Sequence, residues 1–275
     1  LAGDKAGHIP VSGDAGLGIG NLVAFAAQGD HIIIGGSTGT KVFRINASGT
    51  AITLEPTGSA QNPGAHWMLN NQSYVLESTA SNGQVRIWKW NAGGTPTVTG
   101  NANVGAASGN VQAVSFDQED PAQAYIFGRV TTGDAPNAGE VYRVNLANAQ
   151  TTKLFKIPGY QGGGALSGIW TIQVESHGSD TYYILGGTVA GIPEDPTHPN
   201  RHGVLVLKNP PATCGEINDS SVEMALLDFP TAVRTMKAFK NSSHDIVYAA
   251  KNYTAGGANF AATEYKLRLI EVNND

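Results

Sequence analysis

The sequence predicts an all-β protein made of five copies of one four-stranded antiparallel unit, and three observations predict it. The composition is the first: 35 of 275 residues are Gly and only 14% are charged, against about 25% charged in ordinary domains. Long surface helices need Glu, Lys and Arg on their wet faces, whereas short strands joined by tight turns need Gly. The second is a recurring five-position pattern of apolar, bulky, long polar, apolar and then Asn. It reads Val42-Phe43-Arg44-Ile45-Asn46, Ile87-Trp88-Lys89-Trp90-Asn91, Val141-Tyr142-Arg143-Val144-Asn145 and Leu269-Ile270-Glu271-Val272-Asn273. A degraded copy, Val204-Leu205-Val206-Leu207-Lys208-Asn209, falls where the spacing leaves room for one. The third is a short apolar, β-branched or aromatic run ahead of each copy, bounded by turn residues, which is how a buried strand reads.

Taken in order, the first unit spans 21–58, with strands expected over 21–27, 31–36, 42–46 and 51–55. The second spans 66–104, with strands over 67–70, 73–78, 87–91 and 95–99. The third spans 110–158, with strands over 111–116, 124–129, 141–145 and 153–157. The fourth spans 169–230, with strands over 170–175, 182–187, 204–209 and 224–228. The fifth, 232–273, stops after its third strand, 269–273, preceded by 233–239 and 246–251. The segment 8–12, His8-Ile9-Pro10-Val11-Ser12, belongs to no unit and is expected to supply the missing outer strand, closing a ring and removing an exposed edge. Four antiparallel strands recurring every ~40 to 60 residues are the blade of a β-propeller, so the expectation is one five-bladed domain over 1–275. A stacked solenoid and a two-sheet sandwich are the competing architectures.

Two resemblances follow from these residues. The Asn82-Gly83 turn ahead of Val85-Arg86-Ile87-Trp88 resembles the third strand of WD40 repeats, whose Gly-His and Trp-Asp dipeptides the units lack. The stretches Val141 to Asn145 and Ile87 to Asn91, with Gly93-Gly94-Thr95-Pro96-Thr97-Val98 after the latter, resemble propeller domains of unknown function on surface lipoproteins of Bacteroidetes-type bacteria. That resemblance implies an exported or cell-surface protein and no particular chemistry. The chain opens at Leu1 with neither Met nor a charged-then-apolar leader, as expected of a trimmed mature domain.

Charge excludes some partners. Seventeen Lys and Arg against 22 Asp and Glu give a net −5, so the field that draws phosphate backbones is missing and nucleic acid is not an expected partner. No apolar run approaches the ~20 residues that span a bilayer as a helix. One cysteine, Cys214, excludes an intrachain disulfide and any multi-cysteine metal site.

In a blade, the connections between second and third strands share one face with the connections between blades. Here these second-to-third connections lengthen along the chain, from 37–40 through 78–84 to 131–140, 188–202 and 252–264. Long loops on a rigid scaffold carry binding surfaces. Around the expected central mouth on that face lie His66, Trp67, Gln112, Trp170 and Arg234 at the entrances of the inner strands, with Asn21 and Asn110. Glu77, Arg129 and Lys251 stand at the upper ends of the second strands. Aromatic faces beside amide and hydroxyl donors suit sugar rings, so the expected ligand is a carbohydrate. The competing reading packs Trp67 and Trp170 between blades, and Trp88 and Trp90 are expected in the core. Arg129, Arg234 and Lys251 suit a carboxylate or sulfate, or else pair with neighbouring carboxylates.

Catalysis is not expected. A glycoside hydrolase needs two carboxylates around the scissile bond, and Glu77 is the only carboxylate at the mouth unless Asp14 or Asp134 swings in from a loop. Cys214 has no neighbouring His, and the run Gly16-Leu17-Gly18-Ile19-Gly20 leads into a strand rather than a phosphate-binding helix. The loop from Glu194 to His202 holds two His four apart, with no helix to align them and no third ligand, so neither metal nor cofactor is expected. The sequence therefore predicts a non-catalytic exported module that binds carbohydrate through the long-loop face. The alternatives are a protein interaction scaffold in a surface assembly and, third, a glycoside hydrolase.

Overall fold

A computed structural model describes residues 19–20, 22–49, 52–55, 65–79, 84–104, 110–129, 139–157, 168–190, 200–211, 223–229, 233–240, 246–252 and 267–272. Nineteen strands form in these residues, with no helix among them. The first sheet takes β1 (Leu22–Gln28), β2 (His31–Gly36), β3 (Thr40–Ile45) and β4 (Ile52–Leu54) in that order. The second takes β5 (Ala65–Asn70), β6 (Tyr74–Thr79), β7 (Gln84–Asn91) and β8 (Gly94–Asn103). The third takes β9 (Asn110–Phe116), β10 (Gln123–Arg129), β11 (Gly139–Asn145) and β12 (Gln150–Ile157). The fourth takes β13 (Gly168–His177), β14 (Asp180–Ala190), β15 (Asn200–Lys208) and β16 (Glu223–Phe229). A three-stranded sheet of β17 (Val233–Lys240), β18 (Ile246–Asn252) and β19 (Leu267–Val272) completes the set. Each sheet is an antiparallel meander of consecutive strands, so the fold is a repeated, propeller-like all-β arrangement. The segment 8–12 lies outside the described residues.

Every expected strand that falls on the described residues is present, and the differences are in length. The second-to-third connection of the fourth sheet is shorter than the expected 188–202, because the ladder continues through Thr188↔His202, Val189↔Arg201 and Ala190↔Asn200. Once a hairpin is in register, each further pair satisfies backbone groups that would otherwise need water. Similarly, β8 runs well past the expected 95–99, pairing out to Gln84↔Asn103. It tolerates Pro96 because it is the sheet's edge strand and its register shifts between Lys89 and Asn91, both places where a missing N–H is harmless.

The pattern's Asn makes local hydrogen bonds at the end of the third strand. Asn91 Nδ2 donates to the Thr95 carbonyl at 2.7 Å, and Asn145 Oδ1 accepts from the Ala147 N–H at 2.9 Å. Asn209 sits at φ 43°, a left-handed conformation that Asn tolerates through local hydrogen bonds. Its Oδ1 accepts from the Thr181 N–H at 2.8 Å and its Nδ2 donates to Asp180 Oδ1 at 2.7 Å.

The chain divides into two compact units. One holds β1 to β8 with the turn Asn145–Gln150, and the other holds the rest of β9 to β19. In the first, Ile33, Val42, Val75 and the expected core residues Trp88 and Trp90 pack with Ala26 and Met68. In the second, Phe127, Val141, Phe155, Ile172 and Leu185 form the centre. Tyr183 there meets Phe155 edge to face at 4.8 Å and Tyr125 at 6.1 Å, a geometry favoured by the ring quadrupoles. Within the units the first strands of successive sheets lie side by side: β1 with β5, and β13 with both β9 and β17.

Candidate functional site

The first strand of every sheet carries a β-bulge at the same place, near its start. The register slips between Leu22 and Ala24 in β1, between Ala65 and Met68 in β5, and between Phe127 and Gly128 on the β10 side of β9. It slips again between Ile169 and Thr171 in β13 and between Val233 and Thr235 in β17. The extra residues are Val23, one of His66 and Trp67, Gln112, Trp170 and Arg234. A bulge inserts one residue, bends the strand and re-aims a side chain, and bulges concentrate beside functional sites. All five inner-strand candidates from the sequence therefore sit at a bulge.

The second-strand candidates sit beside them. Arg129 pairs with Asn110 as the last residue of β10, Lys251 pairs with Thr235 next to the Arg234 bulge, and Glu77 pairs with Met68. The backbone thus places Gln112, Arg129, Trp170, Arg234 and Lys251 at one end of the sheets of the second unit, and His66, Trp67 and Glu77 at the corresponding end in the first. Asn21, Asp14, Asp134, Cys214 and the 191–199 part of the His-rich loop lie outside the described residues.

Two candidate side chains are described. Trp67 is half-buried, and its backbone N–H donates to Ser78 Oγ at 3.0 Å across the bulge. That bond takes up an N–H that the slipped register cannot pair in the ladder. Glu77 is 0% exposed. Its Oε1 accepts from Thr40 Oγ1 of β3 and, at 3.1 Å, from Arg86 Nη1; its Oε2 accepts from Trp88 Nε1 at 2.6 Å. A buried carboxylate requires this degree of satisfaction. Here the donors come from the first sheet as well as the second, so the network ties the two sheets together.

The third sheet uses the same position of the pattern in the same way. Tyr142 occupies the bulky position that Trp88 fills, and its hydroxyl donates to buried Glu140, which Lys153 Nζ also approaches at 3.4 Å. At the opposite end of the strands, Asp30 holds His31 Nδ1 at 2.8 Å and Arg44 Nε at 2.7 Å. The hydrogen bond from Arg44 holds the Asp30 carboxyl below the usual carboxylate range. Burial, reinforced by the bond its hydroxyl donates to Asp117 at 2.9 Å, pushes the Tyr125 phenol well above its usual value. Among the described residues no group of three or more His, Cys, Asp or Glu is placed to hold a metal ion.

Sequence reasoning missed the bulges and the Arg86–Glu77 pair. A signal for the bulges was present: glycines stand across from three of them, at Gly35 and Gly36, Gly128, and Gly186 and Gly187. Glycine inside a strand pattern marks a bulge or a close approach.

No protein-family model matches the chain, and no curated protein does. Solved structures do resemble it. Saccharomyces cerevisiae Sqt1 superposes with a TM-score of 0.50 at 8% identity, covering 94% of this chain and 64% of that one. A Bacteroides uniformis protein provisionally assigned as a 6-phosphogluconolactonase gives 0.48 at 10% identity, covering 90% and 70%. The tricorn protease gives 0.46 at 10% identity, covering 90% of this chain and 20% of that one. At such identities the likeness concerns the fold and not the chemistry. Among the described residues no helix is long and apolar enough to cross a membrane.

Proposed function

We propose that the chain is a single five-bladed β-propeller, closed by pairing of segment 8–12 with the last blade, that serves as a non-catalytic exported binding module for carbohydrate. The observation that carries this reading is the bulge repeated at the start of each first strand. It occurs at the end of the sheets to which the long connections lead, and its extra residues are Val23, one of His66 and Trp67, Gln112, Trp170 and Arg234. Five sheets of different sequence repeat the irregularity at the corresponding position of their first strand, and a bulge bends the strand and re-aims a side chain. Indole, amide and guanidinium are the side-chain types that suit a sugar, whose C–H faces are apolar and whose rim needs hydrogen bonds. Paired-carboxylate hydrolysis finds no comparable support, because Glu77 is committed to Thr40, Arg86 and Trp88.

A glycan array followed by calorimetric titration tests this, with a Trp67→Ala/Trp170→Ala variant alongside. The expected result is saccharide binding that falls by at least about tenfold in a variant whose circular dichroism is unchanged, since an aromatic contact contributes on the order of 1 kcal/mol beyond its burial. Absence of binding across neutral and acidic glycans removes the reading. A protein partner then takes its place, a reading favoured by Phe25 and Leu69, which are 68% and 40% exposed on the adjoining strands β1 and β5.

A further inference from the structure

The bulge in β5 differs from the others in what stands across from it. Ala65 pairs with Thr79 and Met68 with Glu77, so two residues, His66 and Trp67, face one, Ser78. An extra residue in one strand leaves a backbone N–H that the ladder does not pair. Here the side chain opposite takes it up, since the Trp67 N–H donates to Ser78 Oγ at 3.0 Å. The bulges of β1, β9 and β13 have Gly35 and Gly36, Gly128, and Gly186 and Gly187 at the corresponding places. Glycine has no side chain with which to make such a bond.

Ser78 is itself held in place. It is buried and pairs with Val85 of β7, next to the Glu77↔Arg86 pair. Glu77 in turn is bound by Thr40, Arg86 and Trp88. β6 is therefore fixed at this level, and the Ser78 hydroxyl ties the bulge to it. With two residues facing one, the extra position can fall on His66 or on Trp67. The two arrangements present different side chains on a given face of the sheet, because neighbours along a strand point to opposite faces. A bond to the Trp67 N–H selects one of them.

We infer that Ser78 is a positioning residue, whose hydroxyl locks the β5 bulge in the arrangement that sets the half-buried Trp67 indole for a sugar ring. The inference rests on the glycan reading and deepens it, assigning the orientation of Trp67 to a side chain beneath the surface. A contact group held in place before the ligand arrives costs less ordering entropy on binding.

The test is nuclear magnetic resonance on the whole chain carrying isotopically labelled tryptophan, whose four residues give one backbone and one indole signal each, with Trp67→Phe to assign Trp67. Ser78→Ala removes the acceptor and Ser78→Thr keeps it. In Ser78→Ala the Trp67 amide is expected to exchange about two- to tenfold faster, the factor that one neutral hydrogen bond contributes, and the heteronuclear NOE of its indole to fall. The amides of Trp88 and Trp90 in the same sheet are expected to keep their protection, whereas a general loss of stability would speed all three. Ser78→Thr is expected to restore the parent values at Trp67. Ser78→Cys, similar in size with a weak acceptor, carries the expectation of Ser78→Ala should that variant fail to fold. Calorimetric titration with cellotetraose, chitotetraose and a galacturonate tetrasaccharide is expected to show affinity about two- to tenfold weaker in Ser78→Ala and recovered in Ser78→Thr. Unchanged exchange and NOE at Trp67 overturn the inference, as does full affinity in a variant whose Trp67 has become mobile, and either result leaves the glycan reading standing. A parent protein that binds none of the three, nor any glycan of the array, overturns the glycan reading and the part of Ser78 in it together.

Discussion

Glu77 and Arg86 form an ion pair from which water is excluded, and such a pair gains its energy only as a complete set. Glu77→Gln keeps one acceptor oxygen, which serves Trp88 Nε1 or Thr40 Oγ1 but not both, and leaves the Arg86 guanidinium, 3% exposed, without its counter-charge. The expected cost is about 3–5 kcal/mol, the range for breaking one side of a buried pair. In Glu77→Gln/Arg86→Met both charges are gone and the volume is kept, so the double variant is expected to recover at least half of that loss. Urea denaturation of the two single variants and the double variant measures the coupling. Strictly additive losses would mean that the pair contributes nothing as a pair. The residue types of the proposed site are read from chemistry alone, by which Trp67, Trp170, Gln112 and the cations stand out in the sequence. That Glu77 lies beneath the surface was not legible. A carboxylate at a strand end has the same one-dimensional signature whether it faces water or a Thr, an Arg and a Trp brought from other strands.

At the scale of elements, the strands were legible because each reports itself through a local pattern, and the Asn closing that pattern is explained by the turn bonds of Asn91, Asn145 and Asn209. Strand ends were less so, because pairs such as Ala190↔Asn200 are decided by the partner strand and not by local residues. One crossing in the first unit turns on a single missing carbon. Gly100 in β8 lies against the turn Asn145–Gln150, where a Cβ added to it would stand 2.7 Å from the Cβ of Ala149. Ala149 itself has φ 58°, a conformation that costs an L residue about 1–2 kcal/mol. Gly100→Ala is therefore expected to destabilise by about 1–3 kcal/mol through overpacking. Ala149→Gly is expected to be neutral or stabilising, and to remove most of the penalty when combined with Gly100→Ala. Thermal melts of the four proteins decide it. A Gly100→Ala protein that melts with the parent would show that the turn simply moves aside.

For the molecule as a whole, the question is what meets the outer edge of β19. Among the described residues every other sheet has a fourth strand, whereas β17, β18 and β19 form a sheet of three. A sheet that ends on an unpaired strand presents a row of free N–H and C=O groups, which invites pairing with another chain. The proposed closure assigns that edge to segment 8–12, whose Ile9 and Val11 alternate with polar or turn residues as a short edge strand does. Pro10 confines the segment to an edge, where one missing N–H is harmless. Deleting residues 1–12 should then expose the Leu267–Val272 strand. The expected loss is about 2–4 kcal/mol, a fall in Tm of roughly 5–10 °C, with faster hydrogen exchange concentrated in β18 and β19 and a concentration-dependent tendency to associate. A synthetic peptide of residues 6–14 added in trans should restore protection to the β19 amides, which a general loss of stability would not allow. Unchanged melting and exchange in the truncated protein would remove segment 8–12 from the last blade and, with it, the closed five-bladed ring as proposed.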